Sequence, residues 1–540
     1  MSALVCCLKP ALADNAVWAD HWGYGLPVQT ICDGDGNTYV SGTYYESLTI
    51  QGMTIGSPEL YTGFLAKFNS DGVIQWLSNI ESTDYLYIHV LQLDMQGNIL
   101  LVGGGVGMLS FGGTLAGNES DNFARGFLAR YNTDGACTDI AGTNGESDVY
   151  FMSVAEDASG NYYVAGAYYD SFHFGVSEVP FYGVSDALIV QFDHDFNARW
   201  AKGFGDSGDD GGVDIAIGSD GNLVVCGYFE NSFLFDGYFF ANYGQSDMFV
   251  LKMDDTGTFL WVKTMGSVNY EKQFEMDLLL DDADDVYFAA NMVNELNHPG
   301  GITTSYGGVD FFVIKLDHLY GNFDWIRNGG GSDEDYVYDL VMGNNNNLYI
   351  AGYFQGAAEV DGLQLLATTG KDGFYAELNT DGFANLVWQT EGDNDEQLFS
   401  IAVDPYNNVL AGGIFYSNIH FDGVGDFNIG TDIVGTFLVK METQYTVPET
   451  AIAISVPANN LHVFPNPATE SVLVSIETAG LDIQAVDVLN MFGQRVLHVD
   501  VQNENTVQID VSTLPAGQYL VAAISTQNTI AGTQNLEIMH

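Results

Sequence analysis

Asn37, Asn98, Asn161, Asn222, Asp285, Asn347 and Asn408 close equivalent turns at a spacing of 61 to 63 residues. This period constrains the fold more than any other feature of the chain. The turn opens as "DGDGNTYVSGTYYES" (33–47) and returns as "DASGNYYVAGAYYDS" (157–171), "GSDGNLVVCGYFENS" (218–232) and "GNNNNLYIAGYF" (343–354). Each copy runs on into an apolar strand with one long polar residue, as in "GFLAKFNSDG" (63–72), and Lys67, Arg130, Lys252, Lys315 and Lys440 fall at one repeat position. A second turn and then a Trp follow: Trp76, Trp200, Trp261, Trp325 and Trp388, with Cys137 in the second copy.

Short β-branched and aromatic runs alternate with Asn, Asp and Gly turns, about four strands in each unit of roughly 60 residues. A four-stranded sheet repeated seven times buries both its faces by radial packing about a channel. The fold class expected is therefore all-β: a seven-bladed β-propeller of four-stranded blades over 14–441, followed by a small C-terminal β-sandwich. The seventh copy stops at Met441 without its Trp strand, while "VWADHWG" (17–23) stands unpaired before the first copy. Trp18 is expected to complete the last blade and close the ring.

The landmarks of 18–441, recurring in order, resemble the beta-propeller repeat proteins of bacterial surfaces. That resemblance implies a secreted or surface-exposed propeller with no common enzymatic activity. Residues 442–460 read as a linker of small, polar and Pro residues. Beyond it, 461–540 carries period-2 runs suited to a compact β-sandwich. This module resembles the C-terminal sorting domain of the type IX secretion system of Bacteroidetes, through Pro465-Asn466-Pro467, "MFGQRV" with Gly493, and "VSTLPAGQYLV" with Leu514, Gly517 and Tyr519. The resemblance implies that the secretion machinery is a partner, that the module directs passage across the outer membrane, and that it is then removed as the protein is attached to the surface or released. One departure is the end, "QNLEIMH", which lacks the basic residue of the family's last strand.

Charge sets the excluded partners. With 71 acids against 14 Lys plus Arg the formal charge is −57, which repels phosphate backbones and anionic headgroups, so nucleic acid is not a ligand. Residues 1–13, with Ala11-Leu12-Ala13, read as a truncated signal peptide lacking a basic n-region, and no later run has the apolar length of a membrane-spanning segment. Five scattered cysteines form neither a disulfide framework nor a zinc site.

No base, nucleophile and orienting group stand together, and the ten His are dispersed without metal-ligand spacing. The breaks in the repeat are "LDMQGNILLVGGGVGMLSFGG" in the second unit and 294–308 in the fifth. The loops after the Trp strands hold Asp206, Asp209, Asp210, Asp333, Glu334, Asp335, Asp393, Asp395 and Glu396, which are expected to gather on one rim. Such carboxylates are hard donors suited to calcium, the alternative being a solvated acidic surface. "DGDGN" itself lacks the later acid of a calcium loop, because Tyr44 stands there, and reads as a tight turn. The function expected is a monomeric, non-enzymatic surface module binding glycans or proteins. A polysaccharide hydrolase or lyase is the alternative, and a structural surface-layer role the third.

Overall fold

The computed structural model describes residues 15–442 except 24, 57–61, 118–121, 269–274, 393 and 431–433. Between 461 and 538 it describes all but 467, 469–470, 477–482, 491–494, 502–505, 512–516 and 526–529. Every regular element among them is a β-strand, and the chain divides into two compact units, 1–443 and 444–540. Pro467, Gly493, Leu514, Asp393, Cys6, Cys7 and the signal-peptide region lie outside the described residues.

In the first unit the strands pair as successive four-stranded antiparallel meanders. The first sheet is Gly25–Cys32, Thr38–Tyr44, Thr62–Phe68 and Ile74–Ser82, and the second is Leu86–Leu93, Ile99–Gly105, Arg125–Tyr131 and Cys137–Gly142. Further sheets begin at Val149, Gly211, Asp277 and Tyr336. The last is Glu396–Val403, Val409–Tyr416 and Val434–Glu442, with Asn15–Trp22 as its fourth strand, where Trp18 lies opposite Lys440. The first strands pack against one another in succession, and that of the last sheet returns to Gly25–Cys32.

Burial follows from this stacking. Ile99–Gly105 is buried at every position and Thr62–Phe68 at all but one, the mark of strands covered on both faces. The outer strands are protected as well. Met108–Phe111 reaches across to pair with Ile80–Ser82 of the preceding sheet, and Ala358–Val360 pairs likewise with Gly329–Gly331, so hydrogen-bonding edges are covered.

The repeated side chains account for the joints. Trp18, Trp76, Trp261 and Trp325 each donate their indole N–H to a turn carbonyl of the following sheet: Ser70, Thr133, His318 and Thr380, at 3.0–3.2 Å. The turn must come close to the ring. A Cβ on Gly135, which has φ of +85°, would lie 2.7 Å from the Trp76 ring. Trp200 lies further from Gly257, where a Cβ would meet its ring at 3.4 Å, and Trp388 stacks on Tyr375 and Phe421.

The turn asparagines brace their own loops. In "DGDGN" the Asp33 carboxylate accepts the Asp35 and Asn37 backbone N–H groups, the Asn37 amide and the Tyr39 hydroxyl, which makes it a capped turn. Asn98, Asn161 and Asn408 bond Asp94, Asp157 and Asp404 in the same way, Asn222 bonds Asp220, and Asn347 bonds Glu377. Three of the repeated cations neutralise these turns. Lys252 meets Asp220, Lys315 meets Asp285, and the buried pair Lys440–Asp404 closes to 2.7 Å. Burial works to raise Asp404, but Lys440 and the Asn408 and Tyr406 bonds outweigh it and hold the carboxyl below its ordinary value.

The second unit holds two antiparallel sheets. One orders Leu461–Phe464, Ser471–Ile476 and Thr506–Asp510; the other orders Arg495–Asp500, Ile483–Asn490, Gly517–Ser525 and Ile530–Ile538. They share one apolar core that includes Val472, Val486, Val521 and Leu536, with Tyr519 packed against it. Gly517 pairs with Ile538, and Pro465 and Asn466 follow the first strand.

Candidate functional site: the channel lined by the first strands

The acids expected on one rim differ in burial. Asp210, Asp335 and Glu396 are fully buried. Asp210 accepts the backbone N–H groups of Asp206 at 2.9 Å and Glu230 at 3.2 Å, and Asp335 accepts those of Gly331 at 2.6 Å and Gln355 at 3.0 Å. Asp206 and Asp209 are half-buried and take the Ser232 and Ser185 hydroxyls, while Asp395 takes the Lys371 N–H. Only Asp333 and Glu334 among the described members are exposed. The physical reason is that a tight loop between sheets leaves several amides inward, and a carboxylate at the loop's end satisfies them. Among the described residues no group of three or more His, Cys, Asp or Glu is arranged to hold a metal ion.

A second candidate lies where the first strands converge. There a cavity of about 1030 Å³ is walled by residues of every first strand. Most of these strands carry a β-bulge against their second strand, between Pro27 and Gln29, Ile88 and Val90, Phe151 and Ser153, Gly212 and Asp214, Val337 and Asp339, and Leu398 and Ser400. A bulge re-aims the side chain that follows it. The residue just past the bulge, with Asp277 in the fifth sheet, then meets the next first strand.

The result is a girdle of hydrogen bonds around the channel. Gln29 Oε1 accepts the Leu91 N–H at 2.7 Å, Asp214 Oδ2 that of Leu278 at 2.9 Å, Asp277 Oδ2 that of Leu340 at 2.7 Å, and Asp339 Oδ2 that of Ile401 at 2.7 Å. Ser400 Oγ accepts the Thr30 N–H at 2.7 Å, and Ser153 donates its hydroxyl to Asp214. Asp277 also hydrogen-bonds the carboxyls of Asp214 and Asp339. Burial raises all three groups, and Asp277, with a carboxyl on either side, rises well above its ordinary value. The second sheet has Val90 at this position, and no such bond runs from it to the third sheet.

Above the girdle the walls are aromatic. The second and third sheets contribute Tyr87 and Tyr150, with ring centroids 5.9 Å apart and edge to face, and Tyr169 continues the row 6.1 Å beyond Tyr150. From the sixth and seventh sheets come Tyr338 and Phe399, 5.1 Å apart. Tyr336 and Tyr353 stack beside Tyr338, and the Lys371 ammonium lies 4.0 Å over Tyr353. His89 occupies the bulge of the second sheet and stacks on Tyr87 at 6.3 Å. Its Nε2 is buried without a hydrogen-bond partner, and burial holds the imidazole down to about 4, so it is neutral at physiological pH.

Sequence reasoning expected a channel but missed the polar residues that line it. The signal was present in the polar residues Gln29, Ser153, Asp214, Asp277, Asp339 and Ser400, which keep the 61–63 period within otherwise apolar strands.

Residues 462–535 match the family described as a secretion system C-terminal sorting domain. The chain is exported to the cell surface or secreted, and the type IX secretion machinery handles it through this domain. No helix among the described residues is long and apolar enough to cross a membrane. No curated protein matches the chain. Similar solved structures include a catalytically inactive virginiamycin B lyase from Staphylococcus aureus with quinupristin, at 9% identity and TM-score 0.38 over 78% of this chain and 98% of that one. A europium-containing methanol dehydrogenase is 10% identical, with TM-score 0.36 over 80% and 93%. The extracellular domain of a hybrid two-component system from B. thetaiotaomicron is 11% identical, with TM-score 0.22 over 95% and 81%. At such scores none of them bears on the site's chemistry.

Proposed function

We propose that this exported chain is a seven-bladed β-propeller followed by a β-sandwich sorting domain, and that it binds a glycan in the mouth of its central channel as a non-enzymatic surface module. The cyclic packing of the first strands and the pairing of Asn15–Trp22 with Val434–Glu442 support the ring. The observation that carries the binding reading is the pair of aromatic walls on sheets about half a ring apart, Tyr87 and Tyr150 against Tyr338 and Phe399, around a cavity of about 1030 Å³. Aromatic faces stack on the C–H faces of a pyranose, and Tyr hydroxyls bond its polar edge.

A polysaccharide hydrolase or lyase is the second reading. What favours it is the carboxyl row on the channel wall, since burial keeps such groups protonated towards neutral pH, as a general acid requires. Against it, the row's oxygens are already engaged by backbone amides. Titrating the purified protein with a polysaccharide panel while assaying product release separates the two. Saturable binding without new reducing ends or unsaturated products supports the module, turnover supports the enzyme, and no binding removes the channel reading.

A further inference from the structure

The channel repeats around its ring, so its functional part should show where the repetition fails. Three departures fall on one seam. Val90 interrupts the girdle between the second and third sheets. His89, beside it, is the histidine among the bulge residues, where the other units carry Val28, Met152, Val213, Tyr338 and Phe399, and its Nε2 is buried and unpartnered. The third departure is Gly104, at the repeat position held elsewhere by Thr43, Ala167, Tyr228, Asn291, Tyr353 and Ile414. A Cβ there would lie 2.5 Å from Tyr150 Cδ1, so the glycine run of the second unit makes the seat for that ring.

We propose that this seam is the primary sugar subsite of the channel, and that it takes an uncharged pyranose unit. The proposal rests on the glycan reading above. Tyr87, half exposed, and Tyr150 offer the stacking faces. His89 lines the same cavity beside Tyr87, and a neutral imidazole suits an uncharged partner. Asp148 lines the same cavity; one oxygen holds the Ala124 N–H at 2.6 Å, and the carboxylate has further lone pairs to accept sugar hydroxyls. Uronate and sulfated sugars are excluded by Asp148 and by the chain's charge of −57.

The test is calorimetric titration of the full chain with cello-, xylo-, manno- and N-acetylchito-hexaose, and with oligogalacturonate as the anionic probe. At least one neutral hexaose is expected to bind and oligogalacturonate is not. Tyr87→Ala is expected to weaken that binding about tenfold or more, and His89→Gln about fivefold, whereas Tyr87→Phe, which keeps the ring, stays within about threefold. His420→Ala, in a separate hollow with Asp372 and Asp426, leaves it unchanged. Circular dichroism and melting curves establish that each variant folds; should Tyr87→Ala not fold, His89→Gln decides. Binding unaltered in Tyr87→Ala and His89→Gln overturns the subsite while leaving the glycan reading standing. Equal binding of oligogalacturonate overturns the uncharged class, and failure of every hexaose overturns the glycan reading itself.

Discussion

Replacing Asp277 tests whether the carboxyl row holds the ring. Asp277→Ala orphans the Leu340 N–H, now bonded at 2.7 Å in a buried position, and removes the bonds to Asp214 and Asp339. An unsatisfied buried amide costs about 1–3 kcal/mol and each lost carboxyl bond about 1 kcal/mol, giving about 3–5 kcal/mol in total. The unfolding entropy of a unit of about 430 residues is about 0.9 kcal/mol per kelvin, so Tm is expected to fall by about 3–5 °C. Asp277→Asn is the informative partner. Its carbonyl still accepts the Leu340 N–H and its amide donates to one flanking carboxylate, while no charge needs burial. Stability within about 1 kcal/mol of the parent at pH 8 is expected. Differential scanning calorimetry of the full chain reads both variants. An Asn variant as destabilised as the Ala variant, or an Ala variant that melts like the parent, would refute the reasoning.

Further outcomes follow from the same contacts. Burial pushes Asp186 up to about 6, Asp335 and Asp372 to about 7 and Asp210 to about 8. Groups raised in the folded state give stability that is complete below the unfolded value and is lost as pH rises through the folded one. Tm at constant ionic strength should therefore fall from pH 5 to pH 8, by up to about 10 °C if the shifts act fully; a flat or rising curve contradicts it. The lowered Asp404 does not cancel this, because its contribution is complete by pH 5, and the lowered His89 offsets only a part of it below about pH 6.5. Trp76→Phe loses the 3.0 Å bond to Thr133 and should cost about 1 kcal/mol in denaturant melts, with the fold kept by far-ultraviolet dichroism. Deleting 461–540 should abolish export, checked by immunoblot of cell and medium fractions; wild-type export of the truncated chain counts against the sorting role.

Strand periodicity and the Trp positions were legible because they recur in most units and act through neighbouring residues or turns. Asp210, Asp335 and Glu396 misled because a loop acid reads as solvated unless the inward amides it caps are known. The Asp214–Asp277–Asp339 row escaped for a different reason. Its alignment depends on the bulges that precede Asp214 and Asp339, and a one-residue bulge shifts which side chain meets the next strand without altering the apolar pattern. His89 passed as one of ten scattered histidines, because its meaning lies in the bulge that sets it beside Tyr87, whose ring meets Tyr150 from a strand about 60 residues away.

The most direct test of the account is hydrogen–deuterium exchange of the exported protein with and without a saturating neutral hexaose. Added protection is expected on 86–93 and 149–156, the first strands at the seam that carries Tyr87, His89 and Tyr150. Protection confined to the outer hairpin tips around Gly52, Gly237 and Gly362 would place the ligand outside the channel and contradict the central claim.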